Sequence, residues 1–127
     1  MRSIEITDKG ALELADGFLR LRWRAGHTIG VDEAHGAAAA VGVLSQGISF
    51  PMLIHVGRVN FTPPARKVVL PPGTVSRIAL LGSSPVDYVL ALFVLRVSPL
   101  PCPVAYFTSS RKAMAWLRRD PDLTKGG

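Results

Sequence analysis

Apolar and polar residues alternate along FLRLRWR at 18–24. Leu19, Leu21 and Trp23 fall on one side, and Arg20, Arg22 and Arg24 on the other. A period of two predicts a strand with one buried and one wet side. Weaker alternations at 3–6 and 11–14 flank the turn signal Asp8-Lys9-Gly10 and predict two short hairpin strands. The pattern then changes. After a turn at 26–30, Val31, Ala34, Ala38, Val41 and Leu44 follow helical spacing and predict a helix over 31–46. Asp32 and Glu33 suit its first turn, where the macrodipole favours acids, and Gly47 ends it. Gly36 and Gly42 weaken it by roughly 1 kcal/mol each.

PMLIHV at 51–56 is almost wholly apolar, as in a strand covered on both sides. A connection rich in proline follows over 57–73, in which Thr62 before Pro63 predicts a capped helical turn reaching Arg66 or Lys67. RIALLG ends a second apolar strand over 76–82. Ser84-Pro85-Val86-Asp87 then opens a helix over 85–97 that Pro99 stops. VAYFT at 104–108 is a third core strand. SSRKAMAWLRRDP closes the chain as a helix whose apolar side is Ala113, Met114, Trp116 and Leu117, with Arg118 and Arg119 at its end. Strands followed by strand–helix–strand–helix–strand–helix predict an α/β domain. Its mixed sheet has a parallel core, N-terminal antiparallel strands and helices mainly on one face. Residues 1–120 form a single domain on this reading, and 121–127 a flexible C-terminal tail.

The helix over 85–97 raises a question of its own. Its charges, Asp87 and Arg96, fall on opposite sides, so it has no polar face. A membrane span is excluded by length, because thirteen helical residues cover about 20 Å against about 30 Å of hydrocarbon. Tyr88, Leu92 and Leu95, spaced i, i+4, i+7, are assigned to the side on the sheet, although the charges do not fix which side is which and the reverse assignment stays open. Leu90, Phe93, Val94 and Val97, with Leu100 nearby, form a candidate dimer interface.

Composition narrows the picture. The 127 residues are 48% apolar, which excludes a disordered chain. Cys102 is the single cysteine, so no internal disulfide forms. The charged start MRSIEITDKG lacks the apolar core of a secretory signal, and together these point to the cytoplasm. The net charge of +6 is unevenly placed. The six acids of residues 1–35 precede a stretch, 36–119, in which Asp87 is the one acid among nine bases. A basic lobe suits an acidic partner or surface. Aromatic stacking platforms are missing, so nucleic acid is not expected as a partner.

Motifs that would name a reaction are weak. Asp32-Glu33-Ala34-His35 spells a helicase box, yet no phosphate-binding G-x-x-x-x-G-K-[ST] accompanies it. His27, His35 and His55 have no metal-ligand spacing, and His55 in an apolar strand reads as a satisfied core histidine. No G-x-S-x-G exists for acyl transfer. No cofactor, metal site or catalytic residue is expected. NFTPPARK follows a core strand, where α/β loops carry function. Arg58, Thr62 and Arg66 form a candidate partner or anion loop, although Pro63 and Pro64 remove two N–H donors from it.

VAYFTSSRKAMAWLRR resembles the closing strand and helix of SpoIIAA-like proteins of the STAS superfamily (sulfate transporter and anti-sigma-factor antagonist), including small bacterial STAS/SEC14-like members. The matching residues are Phe107, Thr108, Ala113, Trp116 and Leu117; Trp23, the helix from Val31 and RIALLGSSP also look similar. The resemblance covers about residues 15–119. It implies a SpoIIAA-like sheet, no enzymatic activity, and a protein-interaction or regulatory role. In the antagonists the loop after a core strand carries a phosphorylated serine in Asp-Ser-x-Gly. Here that loop starts at Gly57, its hydroxyl is Thr62, and the signature is absent. The expected function is therefore a non-enzymatic, homodimeric module that binds a protein partner. The alternative is a small hydrophobic-ligand or lipid-binding domain, which the apolar excess and the SEC14-like members suggest.

Overall fold

The structure is a computed structural model that describes residues 2–66, 74–83 and 102–118, except for the Arg66 side chain. Six strands form one mixed sheet in the order β1-β2-β3-β5-β7-β8: β1 (Arg2–Ile6), β2 (Gly10–Ala15), β3 (Phe18–Trp23), β5 (Phe50–His55), β7 (Val75–Leu81) and β8 (Val104–Phe107). β1, β2 and β3 pair antiparallel, and β3, β5, β7 and β8 run parallel. The expected fold class is borne out. The stretch 26–30, expected as a turn, holds a short strand instead. β4 (Thr28–Ile29) pairs parallel with β6 (Asn60–Phe61) in a separate two-stranded sheet. This clasp ties the chain after β3 to the loop after β5. Gly26 N–H donates to Arg58 O at 2.8 Å, and Thr62 N–H to Ile29 O at 3.0 Å.

Two faces of the sheet bury different things, because successive strand residues point to opposite sides. α1 (Val31–Ser45) lies across β1 and β2. Its Ala37, Ala40, Val41 and Leu44 join Leu12, Leu19, Leu21, Trp23, Met52 and Ile78 in the larger core. The buried side is therefore turned from the expected one. Val41 and Leu44 belong to it, but Ala34 and Ala38 are only partly covered and Val31 is 36% exposed. Alanine at the contact lets the helix axis approach the sheet closely. α2 (Pro63–Arg66) packs beside α1. On the opposite face α3 (Ser110–Leu117) lies over β5, β7 and β8. There Ala113 and Leu117 meet Leu53 and Ala79 in a smaller core, with Trp116 against Phe107.

Local chemistry fixes the ends of these elements. α1 starts at Gly30, whose N–H donates to Glu33 Oε1 at 3.0 Å; Lys9 Nζ reaches the same oxygen at 3.0 Å and ties the β1–β2 turn to the helix. That pairing holds the Glu33 carboxyl below its usual range, through the Gly30 N–H first and Lys9 second. Glu33 of the apparent helicase box is thus a helix-end residue. Thr62 Oγ1 accepts from Ala65 N–H at 3.3 Å and caps α2 as expected, and Ser109 Oγ accepts from Lys112 N–H at 3.3 Å to cap α3. Gly10 is required by close approach. A Cβ there would sit 2.5 Å from Trp23 Cε3 and 2.8 Å from Arg22 O. The expected helix over 85–97 and its candidate interface residues Leu90, Phe93, Val94, Val97 and Leu100 lie outside the described residues. So do the Ser84 cap and the stretch 121–127. Among the described residues, no helix is long and apolar enough to cross a membrane.

Candidate functional site

The carboxyl ends of β3, β5, β7 and β8 converge, as parallel order requires, and the loops beyond them enclose an open hollow of about 540 Å³. Trp23, His55 and Leu81 line it from the strands; Gly57, Gly82, Ser83 and Thr108 line it from the loops, and Ser110 from the first turn of α3. Such strand ends are where open α/β sheets bind their ligands. Glycine shapes two walls. Tyr106 occupies the space a Gly82 side chain would fill, its Cζ 2.6 Å from that Cβ position. At Gly57 a Cβ would come within 3.2 Å of Ser83 Oγ. The loop after β5 and the loop after β7 therefore touch at the rim. The volume lies within the range of small-molecule sites.

His55 is half-buried on the α3 side of the sheet, paired in register with Arg22. It was expected to be a satisfied core histidine, yet its Nε2 is buried and has no hydrogen-bond partner. Burial, then the Arg22 and Arg20 charges, push its pKa below the usual value, with Glu13 opposing weakly. The imidazole is held neutral. Among the described residues no carboxylate pairs with His55 Nε2, as an acyl-transfer relay would require. Among the described residues, no group of three His, Cys, Asp or Glu side chains is placed to hold a metal. Cys102 packs at the edge of the larger core, and burial raises its thiol pKa, which favours the unreactive protonated form.

The expected partner loop is only partly assembled. Arg58 is exposed, with backbone φ of +59°, and its carbonyl is held by Gly26. Thr62 is half-buried with its hydroxyl engaged in the α2 cap, and the Arg66 side chain lies outside the described residues. Sequence reading missed Ser83 and Ser110. The signal was there in GSS at 82–84 and TSS at 108–110, each following an apolar strand. Hydroxyl residues repeated at the ends of adjacent parallel strands meet at one rim.

The α3 face carries a second polar feature. Arg20, read as part of a wet strand side, is instead drawn against α3. Its Nη2 lies 3.9 Å from Met114 Sδ, and its guanidinium carbon lies 5.5 Å from the centre of the Phe18 ring. Arg118 approaches the same ring at 5.8 Å. Arg77 donates to Trp116 O at 2.9 Å and stacks over Trp116 at 5.1 Å.

Comparison with known proteins agrees with this architecture. A protein of the DUF3478 family from Shewanella loihica PV-4, described as having a SpoIIAA-like fold, superposes with a TM-score of 0.58 at 14% identity. The match covers 85% of this chain and 91% of that one. A protein of unknown function from Arthrobacter sp. FB24 is 43% identical over 86% of this chain and 99% of its own, with a TM-score of 0.35. No curated protein matches. The first likeness shows the fold, which is SpoIIAA-like as the closing strand and helix implied. A family model, the domain of unknown function DUF7793, matches residues 12–119. That span runs from β2 to the end of α3 and takes in both the strand-end hollow and the arginines of the opposite end. The chain belongs to the DUF7793 family.

Proposed function

We propose that this protein is a non-enzymatic, STAS-like regulatory module of the cytoplasm that acts as a homodimer and receives a protein partner at the rim of the strand-end hollow. The observation that carries this reading is the hollow itself. It gathers three hydroxyl side chains, a neutral imidazole and two glycine-lined backbone walls at the ends of parallel strands. These groups offer hydrogen bonds for recognition rather than an activated nucleophile. The SpoIIAA-like neighbour supports the same class, though fold alone does not fix function. The dimer rests on the sequence of the helix over 85–97. Burying Leu90, Phe93, Val94 and Val97 against a symmetry mate, with Leu100 beside them, removes a patch that soluble monomers rarely expose. Arg58, Thr62 and Arg66 remain the candidate partner loop, and Arg58 is exposed to take that role. A second reading, a small apolar ligand in the hollow, draws on its volume and on Trp23 and Leu81 in its wall.

Native mass spectrometry tests both at once. The expected result is a dimer mass with no retained lipid, converted to a monomer by Phe93→Glu with Val97→Glu. A wild-type monomer at micromolar concentration overturns the dimer. A retained small molecule lost on Gly57→Leu favours the second reading.

A further inference from the structure

We infer that the strip formed by Arg20, Phe18 and Arg118, at the carboxyl end of α3, binds the carboxylates of an acidic segment of a protein partner. The inference deepens the reading of this protein as an interaction module, and it lies at the opposite end of the sheet from the hollow. Two guanidiniums converge on one ring, at 5.5 and 5.8 Å from its centre. Like charges brought together in this way call for an anion nearby. None is supplied by the described residues, in which neither Arg20 nor Arg118 pairs with a carboxylate. Glu13 stands opposite Arg20 in the β2–β3 register, yet its carboxylate lies toward Arg22, 3.8 Å from Nε. The Phe18 ring attracts each cation without accepting its in-plane N–H groups. Arg20 Nε is buried and has no acceptor at all.

The geometry suits carboxylates. Guanidinium forks match a carboxylate with paired, charge-assisted hydrogen bonds. The stems of both arginines, laid over the buried Phe18 ring, add an apolar floor that fits the methylene stems of glutamate. The surrounding charge agrees, because Arg22 and Arg77 stand on the same face of the sheet and the lobe from 36 to 119 carries nine bases against one acid. A peptide is favoured over nucleic acid because the ring at this strip, Phe18, is buried and covered by two cations, which leaves no stacking surface for bases.

The test uses the full chain and a fluorescein-labelled octaglutamate peptide, read by anisotropy at low ionic strength. Arg118→Ala and Arg20→Ala should each weaken binding about tenfold, whereas Arg20→Lys, which keeps the charge but loses the fork, should recover only part. Arg2→Gln removes one distant positive charge and should change affinity by less than about twofold. Equal losses in Arg2→Gln and Arg118→Ala would mean diffuse net-charge attraction and overturn the proposal. Oligothymidylate of the same length binding more tightly than octaglutamate would overturn it as well. Salt-dependent self-association lost in the arginine variants, without peptide binding, would assign the strip to a second copy. Binding that appears only in Asp120→Asn with Asp122→Asn would assign it to the chain's own tail. Either result overturns the proposal, and none of these outcomes touches the oligomer mass or the hollow on which the proposed function is tested.

Discussion

The two faces of the sheet are built from the same strands but to different ends. On the α1 side, β2, β3, β5 and β7 contribute Leu12, Leu19, Leu21, Met52 and Ile78, and no charged group enters the cluster. On the α3 side a smaller cluster buries Leu53, Ala79, Ala113 and Leu117, and the same face also carries Arg20, Arg22, His55 and Arg77 beside Glu13 and aromatic rings. One face is a packed core that stabilises the fold. The other spends much of its area on cations that gain little from burial and carry desolvation costs. Residues kept in spite of such costs are the ones to suspect of a role outside stability.

The largest expected effects separate the faces by mutation. Leu19 and Leu53 are both fully buried, with 0% exposure, and lie on the adjacent strands β3 and β5 but on opposite faces. Leu19→Ala opens a cavity in the large cluster, which many fixed neighbours prevent from collapsing, and should cost about 4 kcal/mol in urea unfolding. Leu53→Ala lies under a helix of eight residues that can settle toward the sheet, and should cost about 2 kcal/mol. Equal losses would mean that the α3 face is as rigidly packed as the other.

The contrast also marks what the sequence makes legible. Period-two alternation in β3 and unbroken apolar runs in β5 and β7 placed the parallel sheet, because burial on one or both faces writes itself into the residue pattern. Thr62 and Ser109 declare helix starts through their hydroxyls. By contrast, β4 and β6 are two residues each and hold together by backbone bonds between segments some thirty residues apart, which leaves no local pattern to read. The arginines of β3 show the limit more sharply. Alternation identifies which residues share a side but not whether a helix from the far end of the chain covers it, so Arg20 reads as solvated and is found against α3. The hollow was legible only in its parts. Its hydroxyls follow apolar strands in the sequence, but their meeting depends on strand order.

A smaller effect tests whether Arg20 is kept for stability. Methionine has a similar unbranched stem and removes the buried Nε–H that lacks an acceptor. Replacing an unsatisfied buried donor by an apolar group of similar shape is close to neutral. Arg20→Met should therefore change unfolding free energy by less than about 1 kcal/mol, with the sign toward stabilisation. It should still weaken octaglutamate binding about tenfold, as Arg20→Ala does. A loss of about 3 kcal/mol or more would show that the cation–π contact with Phe18 and the Met114 contact hold α3 on the sheet, and would remove the contrast drawn between the faces.

The smallest effect is a pH dependence that belongs to one face alone. His55 has its pKa lowered from 6.5 by burial first and by Arg22 and Arg20 second. In the unfolded chain it binds a proton near 6.5, whereas in the folded protein it resists protonation until lower pH. Between those two values the unfolded state holds more protons, so stability rises with pH through this window. It is fully present above about 6.5 and is lost as pH falls through the folded value. The urea midpoint should thus fall between about pH 7.5 and 5.5, and His55→Gln should flatten that slope. Glu33 cannot mimic the effect, since its lowered carboxyl pKa places its own loss of stability in a more acidic window. An undiminished slope in His55→Gln would mean that the slope belongs to another group and not to the α3 face, and that the neutral imidazole does not set the chemistry of the hollow.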